Sequence, residues 1–251
     1  MAETAWAIRG VLPDASQTTA RRHRATVRAT HWMTALCFVA LLVSGLEIVI
    51  SHPRFYWGEN GTVLTPALFS FPIPSSRSTV PTGYGYVLPD QNGWSRYLHF
   101  EAAWAQVVVG VWYLLFGLFS GHFRKNLFPN ASGRSWRALS ATISEHVRFK
   151  SPTEADAWSY NLLQRLAYLI VVFVVVPLII WTGLAMSPAF VSVIPATASV
   201  FGGRQSARTL HFLLSVLLLL FVLVHVAMIW QAGFTRRVGA MITGRAEEKR
   251  L

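Results

Sequence analysis

The chain has 251 residues, of which 53% are hydrophobic and only 13% charged, and its formal net charge is +11. That balance excludes an ordinary soluble domain and a disordered chain and puts the protein among integral membrane proteins. The positive charge clusters beside apolar stretches, where it anchors to anionic lipid headgroups, so membrane lipid is an expected partner and nucleic acid is not.

Residues 1–26 read as an N-terminal tail ending in a basic cluster that includes Arg21, Arg22 and Arg24. The apolar stretch behind it is too long for a secretory signal and shows no small-residue cleavage site, which predicts a retained anchor. Four stretches of about 20 apolar residues, each enough to cross ~30 Å of hydrocarbon, predict helices over about 27–50, 98–119, 162–186 and 209–230. Pro177 predicts a kink in the third, tolerable because neighbouring helices can satisfy the freed carbonyl. No stretch alternates as a barrel strand would. The expected fold is an all-α integral membrane four-helix bundle over 27–232, followed by a tail over 233–251. A long loop, 51–96, joins the first two helices, and a second, 120–160, joins helices two and three. The first loop is rich in Pro, Gly and aromatics, and reads either as a folded cover that shields the outer end or docks a partner, or as a disordered segment.

Lys and Arg set the orientation. Five lie in the N-terminal tail and its helix entry, six in the loop between helices two and three and five in the C-terminal tail, against five on the opposite side, with Arg165 inside the start of the third helix. The positive-inside rule then puts both termini in the cytoplasm and loop 51–96 on the far side.

His211 and His225 lie fourteen residues apart in the fourth apolar run. At ~1.5 Å rise and ~3.6 residues per turn, both imidazoles point to nearly one face, roughly 21 Å apart, one near each membrane surface. An imidazole in hydrocarbon needs a partner, and low-spin haem iron is a fitting one. Depth supplies matching histidines: His99 opens the second helix on the far side, level with His211, and His31 opens the first on the cytoplasmic side, level with His225. Two level pairs predict two haem b groups, with His31, His225, His99 and His211 as iron ligands.

His52 and His122 stand at helix ends near the same two levels and read as interfacial residues, with alternative axial ligands as the other reading; His23 and His146 read as solvated. Ser44, Gly45, Gly110, Gly117 and Gly183 offer either room for a flat macrocycle or ordinary close packing. Arg28, Arg96, Arg165 and Arg208 are either propionate partners or plain anchors. Glu47 and Glu101 near the outer level act either as proton relays or as hydrogen-bonded structural groups. The single cysteine, Cys37, leaves no iron–sulfur cluster, disulfide or covalent haem attachment, and no Gly-rich dinucleotide fingerprint follows a strand.

Several motifs carry a resemblance: Arg28 to Trp32 (RATHW), Ser44 to Leu46 (SGL), YLHF around His99, GHFRKNLFP after the second helix, YNLLQRLAY and TGLAMSP in the third, and the His211/His225 interval. In these, and in its distribution of one, one, none and two histidines over four helices, the chain resembles the bacterial di-haem cytochrome b subunits of formate dehydrogenases, nickel–iron hydrogenases and thiosulfate reductases. HPRFYWGENG after the first helix looks closest to the thiosulfate-reductase-like branch. The resemblance implies a multi-pass protein of the bacterial inner membrane that moves electrons between the quinone pool and a periplasmic redox enzyme subunit, in that branch a molybdenum enzyme. It also implies a quinone site beside the cytoplasmic-side haem at Asn161, Gln164 and Arg165, where amides and a guanidinium can hydrogen-bond quinone carbonyls; a capped helix start with a snorkelling Arg is the other reading. The alternative function is a stand-alone quinone-linked oxidoreductase acting on superoxide or another small oxidant. Redox partner, quinone type, direction of electron flow and homo-oligomerisation stay open.

Overall fold

The computed structural model describes residues 24–62, 64–72, 91–124 and 162–244. Four helices are long and apolar enough to cross a membrane: Ala25–Ser51, Trp94–Phe119, Leu166–Met186 and Arg204–Gln231. The chain is therefore a mostly helical integral membrane bundle. Apolar side chains such as Leu36, Val43, Leu115, Leu220 and Val224 stay exposed, as they must where hydrocarbon is the solvent.

Helix α1 spans Ala25–Ser51. Its buried residues are Thr30, Cys37, Ser44 and Ser51, every seventh position. A seven-residue stripe of small side chains keeps one seam of the helix facing a partner at close backbone range. That partner is α2, Gln91–Phe119, which packs along α1 as a hairpin. Gln106 of α2 reaches across to donate to Thr34 Oγ1 at 3.4 Å.

The third span is compound. Helix α3, Leu162–Ile170, runs into a π-helical stretch, Val171–Val175, and then into α4, Val176–Met186. Pro177 sits in the first turn of α4. It has no N–H to give the carbonyl four residues back, and its ring crowds that carbonyl. The wider π turn immediately upstream is where the helix absorbs the misfit. Two short helices, α5 (Pro188–Val193) and α6 (Ala196–Ser199), turn the chain back into α7, Arg204–Gln231. Ala185, Ala198 and Ala207 make a small buried cluster where α4, α6 and α7 converge.

The close backbone packing among the described residues lies within the hairpins, α1 with α2 and α4 with α7. No comparably close packing joins α1 or α2 to α7. What meets across that gap is a set of side chains.

Outside the far end, strands β1 (Arg54–Phe55) and β2 (Phe69–Ser70) pair antiparallel, Arg54 opposite Ser70 and Phe55 opposite Phe69. Phe55, 2% exposed, stacks on Phe69 with ring centres 4.7 Å apart and contacts Phe212 of α7 at 4.6 Å. The described half of the long loop is thus a folded ribbon seated on the start of α7, and residues 73–90 lie outside the described set. The ribbon also satisfies orphan N–H groups at the start of that helix. Gly58 O accepts from Gln205 N and Ser206 N at 3.0 and 3.1 Å, and Glu59 Oε2 accepts from Arg204 N at 3.0 Å.

At the opposite end, α8 (Phe234–Thr243) occupies most of the stretch read as the C-terminal tail. Arg28 Nη1 donates to Ile242 O at 2.7 Å and Trp32 Nε1 to Met241 O at 3.3 Å, so the first turns of α1 hold the last carbonyls of α8.

Candidate functional site

The structure brings the four intramembrane histidines together as two pairs, at two levels. His99 of α2 and His211 of α7 have ring centres 6.2 Å apart with planes inclined at 60°. His31 of α1 and His225 of α7 have ring centres 6.4 Å apart, inclined at 50°. Both pairs bridge the gap between the first hairpin and α7. For comparison, two metal–imidazole bonds of about 2.0 Å, with each ring centre about 1.1 Å behind its nitrogen, place ring centres about 6.2 Å apart. Among the described residues no cluster of three His, Cys, Asp or Glu forms. A two-imidazole donor set suits a metal whose remaining ligands come with a macrocycle, not a bare cation needing four protein groups.

The His99/His211 pair is held by hydroxyls. Ser44 Oγ lies 3.0 Å from His99 Nδ1, and Thr182 Oγ1 lies 3.0 Å from His211 Nδ1. Each hydroxyl already donates to a carbonyl one turn back, Ser44 to Ala40 O at 2.7 Å and Thr182 to Leu178 O at 2.9 Å. With its proton directed to that carbonyl, the oxygen is an acceptor for an Nδ1–H, the tautomer that leaves the Nε2 lone pair for a metal. A glycine follows each hydroxyl residue. A Cβ on Gly45 would lie 3.6 Å from His99 Cε1, and one on Gly183 3.4 Å from His211 Cε1, so each ring rests directly on a bare helix surface.

The His31/His225 pair is set in aromatic surroundings. His225 stacks on Phe221 (5.9 Å, 18°) and meets Tyr168 of α3 edge-on at 6.3 Å, while His31 meets Trp32 edge-on at 5.3 Å. His31 Nδ1 is buried with no hydrogen-bond partner among the described residues.

The other sequence candidates fall into place around these levels. His52 is the C-cap of α1; burial, then the charges of Arg208 and Arg96, hold its pKa below the ordinary imidazole value. His122 sits among Tyr113, Phe116 and Phe123, where burial and the Arg24 charge lower its pKa. Neither ring packs on a member of the two pairs. Arg208 donates to His52 O and stands over the Phe55 ring at 4.9 Å, which ties the outer ribbon to α7. Gly110 has open space beside it, and Gly117 is packed against Phe123. Glu101 is exposed, and Glu47 keeps one buried carboxylate oxygen without a partner among the described residues. Asn161 and the side chains of Gln164 and Arg165 lie outside the described residues; the register of α3 sets Gln164 one turn before Tyr168.

Sequence reasoning missed Thr182 and Tyr168, and took Ser44 only as a source of space. The signal was present as a repeat, Ser44-Gly45-Leu46 in the first span and Thr182-Gly183-Leu184 in the third.

Glu59 gives a pH-dependent contact at the outer end. It accepts from the Arg204 backbone N–H and from Arg204 Nε at 2.7 Å, and these bonds hold its carboxyl below the ordinary carboxylate range. A depressed carboxylate stabilises above its unfolded pKa and loses that contribution as pH falls through the folded value. Hydrogen-exchange protection of residues 55–59, taken relative to the intrinsic rate at each pH, is therefore expected to fall below about pH 4.5, and Glu59→Gln to show that lower protection already at neutral pH. The half-exposed position makes both effects small. Identical exchange in the variant and the parent rules out the capping role.

Comparison with known proteins agrees with this architecture. The family model for prokaryotic cytochrome b561 matches residues 22–244. A curated protein of Azospira oryzae, described as a putative protein-methionine-sulfoxide reductase subunit YedZ1, is 32% identical over 227 residues, covering 88% of this chain and 96% of its own. No solved structure matches. With four membrane helices, and the family model spanning all of them, the chain belongs to the prokaryotic cytochrome b561 family, whose members carry b-type haem and move electrons in the membrane.

Proposed function

We propose that this chain holds two b-type haems, one between His31 and His225 and one between His99 and His211, and that it carries electrons across the bilayer between the quinone pool and a periplasmic oxidoreductase. The observation that carries this reading is the pair of ring-centre distances, 6.4 and 6.2 Å, at two depths along one helix. Haem supplies reversible one-electron chemistry without moving atoms. The protein's part is to fix the imidazoles, exclude lipid and water from the gap, and hold the two sites roughly 21 Å apart along α7, as the helical rise over fourteen residues requires. The basic loop and tails put both termini in the cytoplasm of the bacterial inner membrane. That orientation makes the His99/His211 pair the outer site, beneath the ribbon of β1 and β2, which serves as its cover and as the docking face for a partner.

Quinone meets the inner site at Asn161, Gln164 and Arg165, because Gln164 stands one helical turn from Tyr168, which packs on His225. Asn161→Ala or Gln164→Ala is expected to slow quinol-driven haem reduction by tenfold or more in stopped-flow spectroscopy while leaving the haem content at the parent level. Unchanged kinetics remove the site from these residues.

The relative described as a reductase subunit supports a subunit role, with a partner that reduces an oxidised substrate such as protein methionine sulfoxide; the resemblance to anchors of molybdenum enzymes agrees with a partner of that kind. The deciding experiment is a reduced-minus-oxidised spectrum with a haem-to-protein ratio, followed by quinol addition. Two haems per chain, reduced by quinol, with turnover of a small oxidant only after a partner is added, is the expected result. Turnover of superoxide or another small oxidant by the chain alone makes it a free-standing oxidoreductase instead, and a colourless preparation ends the reading.

A further inference from the structure

The two pairs differ in what stands behind the imidazoles. Both outer rings lean on a hydroxyl whose proton is already committed to its own helix, Ser44 to Ala40 O and Thr182 to Leu178 O. Both hydroxyl oxygens are buried, with Ser44 0% and Thr182 1% exposed, so water does not compete for the contact. Each lies 3.0 Å from an Nδ1. The inner rings have aromatic neighbours, and His31 Nδ1 has no acceptor among the described residues.

The same device occurs twice, on two different helices that do not belong to one hairpin. In α1 a Ser-Gly step receives the histidine of α2, and in α4 a Thr-Gly step receives that of α7. In both, the side chain bonds back to the carbonyl four residues earlier, which orients its oxygen outward over the following glycine. The glycine lets the ring approach, and the hydroxyl oxygen faces Nδ1.

An acceptor on Nδ1–H makes Nε2 a stronger donor to whatever metal it meets, and a stronger donor favours the higher oxidation state. We infer that Ser44 and Thr182 are positioning residues that lock the His99 and His211 tautomers and hold the outer haem's midpoint potential below the value it has with unassisted imidazoles. This rests on the two-haem reading above.

The test is a redox titration of the purified holoprotein, following both haems optically, in Ser44→Ala, Thr182→Val and the conservative Thr182→Ser. The outer midpoint is identified as the one that vanishes in His211→Ala. Each hydroxyl-free variant is expected to shift that midpoint upward, by about tenfold in the reduction equilibrium or about 60 mV for one electron, with the inner midpoint unmoved and Thr182→Ser close to the parent. Selective loss of the outer haem in Thr182→Val with retention in Thr182→Ser also supports the inference, since the two differ in the hydroxyl. Unmoved midpoints, equal shifts in both, or loss of the outer haem in Thr182→Ser as well as Thr182→Val overturn it. A parent protein without two haems defeats the underlying reading; a two-haem parent whose variants titrate identically defeats only this one.

Discussion

His211→Ala is expected to lower the haem content from two per chain to one, and His99→Ala to do the same to the same haem. His31→Ala and His225→Ala remove the other. The expectation follows from the pairing, 6.2 Å for one set of rings and 6.4 Å for the other, and from the lack of a third ligating group near either pair among the described residues. With only two protein donors at each proposed site among the described residues, loss of one would leave a single imidazole to hold the haem. The double variants sharpen the result. Because His99 and His211 act on one object, removing both is expected to cost no more haem than removing one, whereas His99→Ala with His31→Ala removes everything. Pyridine haemochrome assay against protein concentration measures each. Two haems retained in any single variant, or loss of both in all four, breaks the assignment.

Gly203→Ala is the second large effect. Gly203 has φ +123°, a conformation that L side chains rarely adopt. A methyl there would also lie 2.6 Å from Gly58 C and O and from Glu59 N, all backbone atoms with little freedom to retreat. Gly58 O also accepts from Gln205 N and Ser206 N, and the Glu59 carboxylate from Arg204 N, so the same two residues cap the first turn of α7. Strain and overlap together are expected to cost about 3 kcal/mol or more, relieved by lifting the ribbon from the helix. The measurable outcome is faster hydrogen exchange over residues 55–59 and a changed outer midpoint, with the inner haem unaltered. A variant with parental exchange and a parental thermal transition shows that the ribbon does not seat on α7 as described.

The spans were legible because about 20 apolar residues in a row have few other fates. The levels of the histidines followed from counting crossings. Helix starts were less legible: α2 begins at Gln91 and α7 at Arg204, several polar residues before the hydropathy rises. In α7 that polar turn is helical because Gly58 and Glu59 satisfy its N–H groups, and partners 145 residues away leave no local trace in the sequence. Pro177 announced a disturbance in the third span without revealing that a π turn upstream would take it up. Helices α5 and α6 are too short for a periodic signal. Ser44 and Thr182 were hidden for a different reason. A hydroxyl inside a membrane helix is usually absorbed by its own backbone, and only the tertiary contact shows that its oxygen has a second use.

Helix α7 donates one imidazole to each pair, and it is the last of the four spans to leave the ribosome. On the proposed two-haem reading, a nascent chain with three spans inserted has His31 and His99 but no mate for either, so capture of both groups is expected to wait for the final insertion. Pigment would then report completed topology at both heights at once, and a product truncated before residue 211 is expected to reach cellular quality control uncoloured.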